Sequence, residues 1–255
     1  MKFWKYTSAG NDFVITEGNQ KLSKNQISKI CDRRFGIGAD GLLIFQKLDD
    51  CDFQMTYYNS DGGEVEMCGN GARALCHFAK NFKGIDKNSL TFRTCNGQYA
   101  AEFINNEEIK MEMTEIATPE LNLDFLANKE VGYCEIGVPH IVILGDSYDE
   151  EFAKMVRHDA TFPEGVNVNF INQLSENHYE IRTFERGVES ETLACGTGIT
   201  AAGVIISQLR QERNCSIEVT SEGGEFTVER QGDRFFLTGP TEFVFSGEVH
   251  IQMEK

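Results

Sequence analysis

The chain has 255 residues, 40% of them hydrophobic, enough for one large domain or two ordinary ones with filled cores. Forty acidic against 24 basic residues leave a net charge of -16, which repels phosphate backbones and anionic lipid and argues against nucleic acid or membrane as a partner. The opening MKFWKYTSAGNDF lacks the apolar stretch of a secretory signal, and no run of about 18 uncharged apolar residues occurs, so the chain reads as cytoplasmic.

In chain order, hydrophobic periodicity predicts a strand at 12–16, a helix at 23–34, strands at 41–46 and 52–59, a helix at 71–83, and an alternating hairpin at 90–103 with 109–113. After Thr118-Pro119, a natural crossing point, the same order recurs. It runs through a strand at 141–144, a helix at 148–160, strands at 166–171 and 179–186, a helix at 198–212, and a hairpin at 216–229 with 234–238. Asn96-Gly97 and Gly223-Gly224 are residues that tight hairpins prefer. A strand containing Phe245 closes the chain.

The recurrence is an internal repeat. EVEMCGNGARA at 64–74 returns as ETLACGTGITA at 191–201, an offset of 127 positions. The same gap-free shift brings Gly10 onto Gly137, Phe35 onto Phe162, Gly38 onto Gly165, Thr56 onto Thr183 and Gly97 onto Gly224. About eighteen identities result, roughly twice chance for average composition, and they cluster on glycines, which hold turns that a repeated backbone must repeat. Two pseudo-symmetric α/β halves are expected, with α and β mixed and each half a mostly antiparallel sheet or barrel around a central helix. The first half is placed at 1–117, with 247–255 returning to it, and the second at 118–246.

The eight cysteines are Cys31, Cys51, Cys68, Cys76, Cys95, Cys134, Cys195 and Cys215. None forms a CxxC pair and no signal sends the chain to an oxidising compartment, so free thiols and no metal are expected. Cys68 and Cys195 stand apart because they occupy the same place in the repeat. A strand, then Cys-Gly-x-Gly, then a helix puts each thiol just before a helix N-terminus, where unpaired N–H groups and the dipole favour a thiolate and hold a carboxylate. Alone, such a turn is as well explained as a tight bend with a small residue. Two at symmetric positions suit halves that face each other across a substrate-sized cleft. That arrangement fits two-base inversion of a carbon acid, one thiolate taking the α-proton of an amino acid and a thiol on the other face returning one. The carbanion needs preorganised N–H donors around the α-carboxylate.

GNDF at 10–13, GIGADG at 36–41, NSDGGE at 59–64 running into MCGNGAR at 67–73, and ERG at 185–187 running into ETLACGTG at 191–198 closely resemble the diaminopimelate epimerases. The resemblance covers residue 6 to about residue 240. It implies a pyridoxal phosphate-independent enzyme needing no cofactor, which interconverts LL- and meso-diaminopimelate for lysine and peptidoglycan synthesis. It implies also two similar domains with the active site between them, and a homodimer, with Phe245 at the kind of position where the family has an aromatic at its dimer contact. Carried over by residue, Cys68 and Cys195 become the acid/base thiols, and Gly69, Asn70, Gly196 and Thr197 hold the reacting carboxylate. His140 and Glu185 assist the thiols and meet the substrate amino group. Asn11, Asn59, Asn167 and Arg186 bind substrate, the last three at its far carboxylate. His77, His158, His178 and His250 gain no such support. Two departures touch side-chain recognition: Val138 stands where many members have Asn, and Gly41 where some have Gln. Two further readings stay open: a racemase of another polar amino acid on the same fold, against which Arg186 argues because a neutral side chain would leave it unpaired, and a thiol redox or metal-sensing protein.

Overall fold

Four repeated glycine pairs set the turns of both halves, and all eight residues have positive φ: Gly10 and Gly137 (86° and 65°), Gly18 and Gly145 (96° and 76°), Gly38 and Gly165 (80° and 75°), Gly97 and Gly224 (146° and 131°). Glycine alone takes these angles without a Cβ penalty. The computed structural model describes residues 1–19, 21–121, 123, 126, 129–145 and 147–250. The chain divides into two units, Met1–Met111 with Gly239–Lys255, and Glu112–Thr238.

The elements of the first copy are β1 (Lys2–Ser8), β2 (Asn11–Glu17), α1 (Lys24–Cys31), β3 (Gly41–Lys47), β4 (Phe53–Asn59), β5 (Glu64–Val65), α2 (Gly69–Lys83), β6 (Ser89–Thr94), β7 (Gly97–Phe103) and β8 (Glu108–Met113). Then follow β9 (Glu120–Leu121), β10 (Glu130–Glu135), β11 (Pro139–Leu144), α3 (Glu150–Arg157), β12 (Asn167–Ser175), β13 (His178–Glu185), β14 (Ser190–Thr192), α4 (Gly196–Leu209), β15 (Asn214–Ser221), β16 (Gly224–Gln231), β17 (Arg234–Pro240) and β18 (Glu242–Glu248). In the first unit the pairing runs β18-β1-β2-β3-β4-β6-β7-β8, parallel at β2/β3 and β4/β6 and antiparallel elsewhere. In the second it runs β9-β10-β11-β12-β13-β15-β16-β17, parallel at β11/β12 and β13/β15. The short β5 and β14 pair with β4 and β13. The two topologies are the same.

Each sheet wraps a helix. α2 packs against β1, β2, β3, β4 and β18, and α4 against β10, β11, β12, β15 and β16. A helix enclosed on every side must be apolar on every side, and in α4 all residues from Gly198 to Ser207 are buried. The shorter α1 and α3 bury only one stripe each, Ile27, Ile30 and Cys31 in the first and Ala153 and Val156 in the second.

Several sequence expectations shift. The helix expected at 23–34 stops at Cys31, because Asp32 is extended and its carboxylate accepts from the N–H groups of Arg34 and Phe35, both at 2.7 Å. The one expected at 148–160 starts after Asp149, whose side chain caps Phe152 N–H at 3.0 Å, and ends at Arg157. β1 and β10 were not anticipated; in β1 the buried Lys5, paired with Asp12, breaks the alternation. Residues 239–246, expected in the second half, belong to the first unit because β18 pairs antiparallel with β1. The part of the returning segment at 251–255 lies outside the described residues. The mirror-image case is the segment after β8, which bridges from Ile116 to Ile136 and pairs with β10 through β9. Each copy of the repeat therefore gives its last strand to the other unit, at Glu112 and Gly239, positions 127 apart. Among the described residues no helix is long and apolar enough to cross a membrane.

Candidate active site

In the first unit, Cys68 is the N-cap of α2. Its backbone is extended (φ -142°, ψ 113°), and its sulfur accepts from Gly71 N–H at 3.4 Å. The N–H groups of Gly69 and Asn70 follow in the first turn, where an α-helix offers no internal acceptor. The Asn70 side chain is engaged at both ends: Nδ2 donates to Asn11 Oδ1 at 2.6 Å, and Oδ1 accepts from Arg73. Asn11 in turn donates to Asp40 Oδ2 at 3.1 Å. Asp40 and Asp12 share Arg33, at 2.7 Å each, and Asp12 holds Lys5 at 2.6 Å. These ion pairs hold Asp12 down at about 2 against the desolvation that opposes it. With its amide so committed, Asn70 offers a carboxylate its main-chain N–H. Asn59 ends β4 and is exposed.

Gly41 has no room for a side chain, since a Cβ there would stand 2.4 Å from Tyr57 Cε2 and 2.5 Å from Tyr58 O. Tyr57 occupies the space into which a longer residue at position 41 would grow. Burial raises its hydroxyl well above the usual tyrosine range, with Cys68 and Asp40 adding to the effect.

In the second unit, Cys195 is the N-cap of α4, again extended (φ -120°, ψ 105°) and half-buried. Its sulfur lies 3.4 Å from Thr197 Oγ1. Burial pushes the thiol up to about 12, the Glu185 carboxylate adds to that, and Thr197 opposes it. Glu185 ends β13 and accepts from Thr192 Oγ1 at 2.9 Å; burial raises its pKa and that hydrogen bond pulls it back.

His140 on β11 is fully buried. Asn169 fixes its protonation. The Asn169 Nδ2 donates to Ile141 O at 2.8 Å and lies 3.3 Å from His140 Nδ1, while its Oδ1 accepts from Thr183 Oγ1 at 2.9 Å. A nitrogen that faces a carbonyl is a donor, so His140 Nδ1 accepts and the ring proton sits on Nε2. Burial, helped by Arg186, lowers the imidazole to about 3, so it is neutral at physiological pH, and its buried Nε2 has no partner among the described residues. His140 is thus built to donate a hydrogen bond. Gly198 is required beside it: a Cβ there would be 2.3 Å from Asn169 Oδ1. Asn167 spends its side chain on the local backbone, Oδ1 accepting from Arg186 N–H at 2.8 Å and Nδ2 donating to Pro139 O at 3.1 Å. It thereby orients Arg186, whose Nη1 donates to Glu164 O at 3.3 Å. Val138, at the repeat position of Asn11, is half-buried.

Within the first unit the structure therefore joins Asn11 and Asn70 beside Cys68, and within the second it gathers Glu185 and Thr197 around Cys195 and links Asn167 to Arg186. Three residues were not anticipated: Arg73, Asn169 and Tyr57. Two carried a signal. Asn70 and Arg73 are spaced to share a helix face, and Asn167 and Asn169 to share a strand face. All eight cysteines are thiols.

The family described as diaminopimelate epimerase matches residues 3–118 and 132–244. A diaminopimelate epimerase of Flavobacterium psychrophilum is 37% identical over 98% of this chain and 100% of its own length. One from Campylobacter jejuni subsp. doylei is 36% identical with the same coverage. Among solved structures, a phenazine biosynthesis protein of the PhzF family from Bacillus anthracis superposes with a TM-score of 0.78 at 18% identity, covering 98% of this chain and 99% of its own. A hydroxyproline epimerase from Agrobacterium vitis does so with a TM-score of 0.67 at 12% identity, covering 97% and 91%. At such identities these two speak for the fold alone.

Proposed function

The chain belongs to the diaminopimelate epimerase family and is an isomerase interconverting LL- and meso-diaminopimelate, and we propose that it does so with two thiols, Cys68 and Cys195. The observation that supports this is the pair of Cys-Gly-x-Gly turns, each capping an enclosed helix at the same position of the repeat. A thiolate takes the α-proton, and the electron pair of the broken C–H bond stays on the α-carbon, delocalised into the carboxylate. The second thiol delivers its proton to the opposite face and becomes the thiolate. Main-chain N–H groups of Gly69, Asn70, Gly196 and Thr197, with the Thr197 hydroxyl, hold the carboxylate on which charge develops, and no cofactor is called for. His140 donates from Nε2, and Glu185 accepts from the substrate ammonium. Asn11 binds the substrate, and Asn59 and Arg186 bind its far carboxylate, with Asn167 fixing the Arg186 main chain.

The proposal includes a cytoplasmic homodimer. A reducing compartment keeps both thiols in working form, and β18 exposes Val244 and Phe245 as apolar contact residues. Incubating reduced protein with LL-diaminopimelate in D₂O without pyridoxal phosphate, beside other amino acids, tests the reaction. Loss of the α-proton signal and appearance of the meso form are expected. Exchange with a different amino acid alone would transfer the assignment to that substrate, and no exchange at all would end it.

A further inference from the structure

The second copy of the repeat carries a glutamate where the first has glycine. Gly62 and Glu189 stand 127 positions apart, each two residues before the glutamate that opens a cysteine motif, Glu64 or Glu191, and both have positive φ, 81° and 60°. We propose that Glu189 and Arg157 are positioning residues that together fix Arg186 and so set recognition of the far carboxylate; this rests on the reading above that Arg186 binds that group.

A left-handed backbone strains any residue that has a Cβ, and glycine would lift that strain. At Gly62 glycine is also a steric need, since a Cβ there would stand 2.6 Å from Lys24 Cα. Glutamate bears the strain at position 189, and its carboxylate makes contacts that glycine could not. Oε1 accepts from Gly187 N–H at 2.9 Å and from Arg157 Nε and Nη2 at 3.2 and 2.7 Å, and Oε2 lies 3.6 Å from His158 Nε2. The Glu189 N–H donates to Glu185 O at 2.9 Å and closes the turn that carries Arg186.

These contacts reach Arg186 from two directions. On the main-chain side, Glu189 Oε1 takes the N–H of Gly187 and Asn167 Oδ1 takes that of Arg186 itself, at 2.8 Å, so the peptide groups flanking the Arg186 Cα are both pinned. On the guanidinium side, Arg186 Nη1 donates to Glu164 O at 3.3 Å. The next residue, Gly165, lies against Arg157, for a Cβ there would fall 1.5 Å from Arg157 Nη1, and its N–H closes onto Phe162 O at 2.7 Å. Arg157, at the end of α3 with a side chain only 13% exposed, therefore ties the turn at Glu164 and Gly165 to the turn at Glu189. A long arginine side chain loses rotamer freedom when it grips a carboxylate, and holding its main chain and one nitrogen beforehand reduces that loss. The first copy has Ile30 and Gly62 at the positions of Arg157 and Glu189, so this clamp belongs to the second copy alone.

The experiment is steady-state epimerisation of LL-diaminopimelate by the full chain, with Glu189→Gly made alone and together with Arg186→Ala. Arg186→Ala should lower kcat/KM by about 100-fold, the scale of a lost charged hydrogen-bonded pair. Glu189→Gly should lower it by about tenfold, chiefly through a raised KM, even though glycine relaxes the backbone at that position. Glu189→Gln, which can still accept from Gly187 N–H and Arg157, should recover most of that loss. In the Arg186→Ala background Glu189→Gly should cost less than about twofold, because the clamp then has nothing to hold. An equal cost in both backgrounds, as a merely structural residue would give, or an unchanged KM in Glu189→Gly beside an impaired Arg186→Ala, would overturn the proposal. If Glu189→Gly fails to fold, Arg157→Gln runs the same cycle. A parental KM in Arg186→Ala would instead remove Arg186 from the far carboxylate, a failure of the reading beneath the proposal that this cycle tells apart from a failure of the clamp.

Discussion

Around its enclosed helix the first unit places aromatic rings and ions, and the second places aliphatic side chains and neutral hydrogen bonds. Trp4 meets Phe78 edge-on at 4.8 Å, with Phe45 and Phe82 close by. The same repeat positions in the second copy carry Val131, Ile205, Asn172 and Leu209. Leu209 also lines a pocket of about 280 Å³ with Leu144, Ile171, Tyr179, Ile206 and Arg210. The Lys5, Asp12, Arg33 and Asp40 cluster maps onto Gly132, Pro139, Ala160 and Asn167, which hold no such ions. Strand order and glycine turns withstood divergence, while packing and electrostatics did not. Backbone conformations are few and shared, whereas a core is refilled by whatever volume fits.

The largest test of this contrast is chemical. Cys68→Ala and Cys195→Ala should each lower epimerisation by about 10³-fold, the scale of losing a positioned acid or base. A fall of less than about tenfold in either would remove that turn from the reaction and break the equivalence of the halves. Next comes a pair at one repeat position. Gly198→Ala forces a Cβ to 2.3 Å from Asn169 Oδ1, whereas Gly71→Ala meets the mobile end of Leu43 at 3.1 Å. Denaturant unfolding should show a loss of about 3 kcal/mol for the first and about 1 kcal/mol for the second, the span expected of overpacking. Equal losses would mean that the Asn169 network yields as readily as an aliphatic side chain.

A further test is the order in which acid loosens the units. His140 is held neutral down to about 3, so the unfolded chain, whose histidine titrates near 6.5, takes up its proton first. Its contribution to the second unit is complete above about pH 6.5 and drains away as pH falls toward 3. Asp12, held at about 2, contributes fully above about pH 4 and loses its effect only as pH falls toward 2, a change of about 2 kcal/mol in the first unit. Hydrogen exchange near pH 5 should therefore show β11 and β12 losing protection before β1 and β2. The opposite order would assign acid sensitivity to the ion cluster instead.

Most of the architecture was legible because alternation, glycine turns and the gap-free repeat all record the backbone. The strands that escaped were β1, where Lys5 turned inward onto Asp12 breaks the alternation, β10, and the short β5, β9 and β14. The cysteines were legible through their position in the repeat. The residues that shape their surroundings were less so, because Arg73 and Asn169 act through partners that only folding supplies, Asn70 for one and His140 with Thr183 for the other. Gly41 looked like a gap in substrate recognition, and the structure instead fills that place from the neighbouring strand with Tyr57.

The exchanged last strands have a consequence for how the chain is made. Residues 112–238 are continuous, so the second unit has all its strands as soon as position 238 has been synthesised. The first unit begins before it, and β1, already paired with β2, lacks its other neighbour until β18 has followed the whole second unit. On the ribosome, the half that is translated first is the half that finishes last, and an open edge on β1 persists throughout synthesis.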